Sequence, residues 1–160
     1  MIKTNRSGGG GNMEVIKSVF SGAATDADTN EKDLASYVMP ASFLVTDGHG
    51  VKIKTFGTTG ANGNTKTVRV YFGSVVVGSI SAAANNLDWH IEAIVGRVTL
   101  NTQRYHSEGE FGASTGKTRD TGSLTAPETS AIVIKTTGQN GTSSANDIIC
   151  DGLIIEAMLI

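Results

Sequence analysis

Proline and cysteine are nearly missing from this chain, which holds two prolines and one cysteine in 160 residues. A lone thiol forms no internal disulfide, so the fold must hold by burial and hydrogen bonding. A chain of this length can manage that, because it removes roughly 70% of its unfolded surface from water. Charge is also scarce: 18% of residues are charged and the net charge is −2. The lysines and arginines are dispersed except near the start, so no broad basic field exists to draw in nucleic acid or an anionic membrane. No apolar run approaches the ~20 residues of a membrane helix. The opening Met1-Ile-Lys-Thr-Asn-Arg-Ser7 has no apolar stretch behind it of the kind a secretory leader needs. The chain is therefore expected to be made in a cytoplasm, with no nucleic-acid partner and no membrane insertion.

Catalytic patterns are missing too. Phe111-Gly-Ala-Ser-Thr-Gly-Lys-Thr-Arg-Asp120 ends in the Gly-Lys-Thr of a phosphate loop. Such a loop needs four residues between its glycines so that successive N–H groups wrap the phosphate, and Gly112 stands one residue too close to Gly116. The following residues 118–127 have no helical repeat to supply a helix N-terminus. Asp26-Ala-Asp28-Thr-Asn30 imitates the start of a calcium loop, but Glu31 replaces the needed glycine and Tyr37 stands where the bidentate glutamate belongs. His49, His90 and His106 show no short ligand spacing. No Gly-x-Ser-x-Gly elbow supports a nucleophilic serine. Glu108 and Glu110 lie in a glycine-rich stretch without the rigid separation a glycosidase pair requires. Cys150, inside Asp147-Ile-Ile-Cys-Asp-Gly-Leu-Ile-Ile155, reads as a buried small hydrophobe. The expectation is no enzyme, no metal and no cofactor.

Twenty glycines, many threonines and alternating apolar residues are what the chain does have, and that mixture favours turns and pleated strands. Ser7-Gly-Gly-Gly-Gly-Asn12 reads as a flexible tether behind a short cationic peg, so residues 1–12 form an N-terminal arm and 13–160 one domain. Val51, Ile53 and Thr55 alternate with Lys52 and Lys54; Val68, Val70 and Phe72 repeat the pattern; Gly73-Ser74 closes a hairpin into the run from Val75. Trp89, Ile91, Ala93 and Val95 line one face, opposite His90 and Glu92, with a bend at Gly96. Strands are also expected over 13–20, 34–40, 101–106, 130–136 and 147–160, with a long polar loop over 107–127. Eight or nine short strands predict an all-β, two-sheet antiparallel sandwich, jelly-roll-like before immunoglobulin-like. In the last strand Ile154 and Met158 oppose Ile155, Ala157 and Leu159, which leaves no solvent face and predicts cover by a second copy of the chain.

Leu34-x-x-Tyr37-x-Met-Pro-Ala41-x-x-Leu44, Gly50-Val-Lys-Ile53, Ala61-Asn-x-Asn64-x-Lys66, Val70-x-Phe72-Gly73, Trp89-x-Ile91-x-Ala93 and Arg97 follow one another along the chain. This succession resembles a group of small bacteriophage virion proteins, the jelly-roll domains of head decoration proteins, head fibres and tail fibres. The resemblance covers roughly residues 33–160 and brings no active site with it. It implies a non-enzymatic structural protein of the virion, often trimeric, made in the host cytoplasm and bound to the major capsid protein or to tail components. Capsid decoration or a head fibre is the first reading, with a tail-fibre module touching a host surface glycan as the alternative. Candidate residues follow: Ile2, Lys3 and Arg6 as the virion anchor; Ile154, Ile155, Met158 and Ile160 as the subunit interface; Asn62, Asn64, Tyr105, His106, Lys117 and Arg119 as partner-contacting positions.

Overall fold

The computed structural model describes residues 12–160, so the expected anchor residues Ile2, Lys3 and Arg6 lie outside the described part. Among the described residues there are eleven strands and no helix: β1 Asn12–Val19, β2 Ala23–Ala24, β3 Lys32–Met39, β4 Gly50–Thr59, β5 Thr65–Phe72, β6 Val75–Ala83, β7 Asp88–Thr99, β8 Thr102–Phe111, β9 Thr115–Leu124, β10 Ile132–Asn140 and β11 Ile148–Leu159. The larger sheet runs β1-β11-β4-β7-β8-β9, with the short β2 also on β11, and the smaller runs β3-β10-β5-β6. All pairings are antiparallel.

Setting aside β2 and the β8–β9 hairpin leaves eight strands in two interleaved four-stranded sheets, β1-β11-β4-β7 and β3-β10-β5-β6. That order is the paired Greek key of a jelly roll. The predicted sandwich is thus observed, with two more strands than the nine read from the sequence. One is β2, two residues long. The other is β9, which converts the expected loop over 107–127 into a hairpin with β8, so Glu108 and Glu110 sit on a strand. Its sequence Thr-Gly-Lys-Thr-Arg-Asp-Thr-Gly-Ser-Leu shows no apolar alternation because, at the sheet edge, only Leu124 is buried. The Gly-Lys-Thr of the phosphate-loop imitation lies in this hairpin. Gly112 (φ +56°) in its turn and Gly116 (φ +62°) at the register irregularity just after it take left-handed backbone, which glycine adopts without strain.

Alternation sets the core. Val51, Ile53, Val68, Val70, Phe72, Trp89, Ile91, Ala93 and Val95 are all buried between the sheets, as their spacing predicts. Trp89 Nε1 donates to the carbonyls of Thr58 (3.2 Å) and Ile149 (3.1 Å), so the indole is both buried and satisfied. This close approach explains Gly57, where a Cβ would fall 1.9 Å from the Ile149 carbonyl oxygen. The bulge expected at Gly96 falls slightly later, between Arg97 and Thr99.

A buried cation holds the crossings between the sheets at one end. Lys66 on β5 is fully buried, and its ammonium donates to the Asn62 carbonyl (3.1 Å), Asn62 Oδ1 (2.9 Å), the Asn64 carbonyl (3.2 Å) and the Ala84 carbonyl (2.6 Å). Asp147, 1% exposed, lies 3.7 Å away and accepts from the Asn62 and Asn64 amides. A lesser clasp fastens the 25–31 loop to the outside of the smaller sheet, where Glu31 accepts from Tyr71 and Thr137 and pairs with Arg69. Burial pushes the Glu31 carboxyl up, but these two hydrogen bonds with the Arg69 and Lys135 charges outweigh it and hold the carboxyl below its ordinary range.

Two outcomes follow. Lys66→Met strands a buried carboxylate and should cost about 3–5 kcal/mol in urea unfolding, with Lys66→Met/Asp147→Asn recovering much of the loss. Because the Glu31 pKa is depressed in the folded state, its contribution is present above the unfolded value and disappears as pH falls through the folded one. Amide exchange in residues 26–31 should therefore accelerate below about pH 4 relative to the core, and Glu31→Gln should abolish that pH step.

Candidate functional site

The sandwich has two unlike ends. At one, β1 begins, β11 finishes, and the β3–β4 connection, the β5–β6 turn, the β7–β8 turn and the β9–β10 connection meet; we call this the arm end, since residues 1–11 lead into it. At the far end lie the β4–β5, β6–β7, β8–β9 and β10–β11 connections. Ten large apolar side chains are exposed among the described residues, and six of them, Val38, Val45, Val98, Leu100, Val133 and Ile160, are at the arm end. Met13 and Val15 on β1 and Ile94 on β7 stand near it, Val15 and Ile94 in one cross-strand row through Glu156 and Lys52, leaving Phe20 elsewhere. The exposed apolar side chains are thus gathered towards one end of the sandwich.

The connections of the arm end contain few charges, and these are spent on one another. Arg97 Nε donates to Asp47 Oδ1 (2.9 Å), and its Nη1 donates to the Leu44 carbonyl (2.6 Å) and lies 3.2 Å from Glu128 Oε2. Glu128, only 3% exposed, also accepts from the buried Gln103 amide (2.6 Å) and from the Asn101 N–H (3.1 Å). Asn101 takes φ +60° at the tip of the β7–β8 turn, and its Oδ1 accepts from the Glu128 N–H (2.9 Å). Over this network opens a cleft of about 210 Å³ lined by Ser42, Leu44, Val45, Arg97, Leu100, Glu128 and Thr129. That is smaller than the pockets that enclose cofactors or drug-sized ligands.

The residues singled out in the sequence distribute unevenly. Ile160 is 80% exposed at the arm end, and Ile154 and Met158 are half-buried on the outer side of the larger sheet. Ile155 is wholly buried in the core, so it is unavailable to a subunit contact. The outer side of β11 is not uniformly apolar either: Glu156 stands between Ile154 and Met158 and pairs with Lys54 (3.2 Å). Asn62 and Asn64 are consumed by Lys66 and Asp147 and shape their loop from within, which removes their side chains as hooks for a partner. Tyr105 and His106 are strand neighbours and point to opposite faces. Tyr105 lies over Gly122 and donates to Asp120 (2.9 Å), while His106 is exposed outside. Lys117 and Arg119 are on β9, paired at 3.5 Å with Glu110 and Glu108.

Among the described residues, no three His, Cys, Asp or Glu side chains are placed to hold a metal ion. Cys150 is buried, and burial pushes its thiol up despite contacts with Thr55 and the Gly152 carbonyl. Sequence reasoning missed the Leu44–Arg97–Leu100–Glu128 grouping. Its one available sign was a pair of isolated charges, Arg97 and Glu128, in otherwise uncharged stretches.

No protein-family model matches the chain, and no curated protein matches it. Among solved structures it is similar to the CBM2 module of the evolved Dit of Lactobacillus casei BL23 phage J-1, with TM-score 0.45 and 7% identity over 88% of this chain and 77% of that one. It is also similar to a protein of unknown function from Shewanella oneidensis MR-1, with TM-score 0.40 and 14% identity over 93% and 76%. At such values neither likeness says what this chain does.

Cys150 should stay unlabelled by Ellman's reagent in the native protein for hours and react within minutes in 6 M guanidinium. Fast native labelling would contradict the buried, raised thiol.

Proposed function

We infer that this chain is a non-enzymatic structural protein of a bacteriophage virion, a capsid decoration or head-fibre domain that attaches through its arm end. The observation that supports the reading most is the gathering of exposed apolar side chains at the end into which residues 1–11 lead, where Arg97 is paired with Asp47 and Glu128. A protein fixed to a particle needs one end that desolvates well and another that stays in water. The far end suits the second role: its connections are rich in Asn, Gly and Ser, and among the described residues Phe20 is the one exposed large apolar side chain on that side.

On this reading the buried area at the arm end supplies the binding term, and Ile2, Lys3 and Arg6 add a second contact on a glycine tether, raising overall avidity without new rigid surface. The half-apolar outer strip of Met13, Ile154 and Met158 is the surface on which three copies would meet. Its Glu156–Lys54 pair keeps that strip compatible with water before assembly.

Removal of residues 1–12 should leave a folded protein that pellets with expanded, decoration-free particles at least tenfold more weakly than the full chain. Met158→Glu should lower the sedimenting mass of the full chain at micromolar concentration toward a monomer. A full chain that is monomeric in sedimentation equilibrium contradicts the trimer; labelled protein seen on the tail instead of the head moves the reading to a tail-fibre module.

A further inference from the structure

The cleft beside Arg97 has a chemistry more specific than that of an apolar surface. Its walls are the aliphatic side chains of Leu44, Val45 and Leu100, and the guanidinium of Arg97 lines it. Three bonds orient that guanidinium: Nε to Asp47 (2.9 Å), Nη1 to the Leu44 carbonyl (2.6 Å) and the ion pair of Nη1 with Glu128 (3.2 Å). Nη2 makes no hydrogen bond among the described residues, so two N–H donors of a nearly buried group, with 12% of its side chain exposed, remain unspent. The positive charge, by contrast, is already offset by two carboxylates, Asp47 and the 2%-exposed Glu128. A third carboxylate would meet net negative charge there, while a neutral carbonyl oxygen would accept from Nη2 without that repulsion.

We propose that this cleft is a peptide-docking site that takes one aliphatic side chain of an extended segment of the virion partner, with Arg97 Nη2 donating to that segment's main-chain carbonyl. A volume of about 210 Å³ suits a single side chain and not a cofactor. Leu100 and Val45, both more than half exposed, border the cleft from two separate connections. Arg97 stays rigid because its other donors are engaged, so docking orders little that is not already ordered. The proposal rests on the attachment reading above and names the partner's chemistry.

The test is a ¹H–¹⁵N NMR titration of the full chain with N-acetyl-L-leucinamide, which offers an aliphatic side chain and only neutral carbonyls, beside N-acetyl-L-leucine, which adds a carboxylate. The amide should give saturable shifts at residues 42–45, 97–101 and 128–129 with a Kd on the order of 10 mM, the acid binding roughly threefold or more weakly at pH 7. Leu100→Asp should abolish the shifts; if that variant does not fold, Val45→Asp, in a separate connection, serves in its place. No saturable shift with the amide, or equal or tighter binding of the acid, overturns the proposal. Pelleting with particles separates the two readings. If the wild type and Leu100→Asp pellet equally well, the cleft is overturned and attachment stands; if the wild type does not pellet, attachment fails and the titration alone decides the cleft.

Discussion

The Lys66 ammonium is the contact on which the far half of the molecule is organised. It extends from a strand of the smaller sheet to carbonyls in the β4–β5 and β6–β7 connections and to Asp147 at the entrance of β11. Each of those segments carries the chain between the two sheets. A jelly roll has many such crossings, and an uncompensated polar group in any of them would open the sandwich to water. One cation surrounded by oxygens satisfies several at once, which lets these connections stay short and free of other charge. At the opposite end Glu128 plays the reciprocal part, an anion surrounded by donors from Arg97, Gln103 and Asn101. The apolar interior between them needs only the alternation of strand residues.

That division explains what was legible in the sequence. The alternation of Val51, Ile53 and Thr55, or of Trp89, Ile91, Ala93 and Val95, places side chains on one face by geometry alone, and the core follows. In β9 the inward positions are Gly116, Thr118 and Gly122, set against β6 and Tyr105 where no large apolar side chain fits, so the alternation leaves no apolar trace and Thr115–Leu124 reads as a loop. The parity of β11 was readable but its sense was not: Ile154 and Ile155 are equivalent on paper, and only the packing of Ile155 against the opposite sheet sends Ile154 outward. Asn62 and Asn64 illustrate the same gap for polar residues. Asparagines in a glycine-rich loop suggest an exposed contact, whereas these two face a buried lysine that lies two and four residues further along.

The arm-end cleft was illegible for a related reason. Its members come from the β3–β4 connection, the β7–β8 turn and the β9–β10 connection, which are far apart in sequence and meet only because the jelly roll brings those three to one end. No spacing rule links Leu44 to Leu100 or Arg97 to Glu128. On the proposed reading, function belongs to the architecture of that end, with exposed aliphatic groups outside and a self-neutralised polar network beneath. No single motif encodes it.

The β8–β9 hairpin lies outside the eight-strand frame, hung on the edge of β7 and tied back to β6 where Thr118 donates to the Ser79 carbonyl (2.7 Å). Every pairing that closes the two Greek keys is complete without it. Its inner face nevertheless belongs to the core, because Gln103, Ser107, Phe111 and Leu124 are all buried, so the hairpin carries the larger sheet past β7 to cover β6. Only its outward positions, such as Glu108, Lys117 and Arg119, stand clear of that packing, so the same ribbon is fixed on one side and open to change on the other.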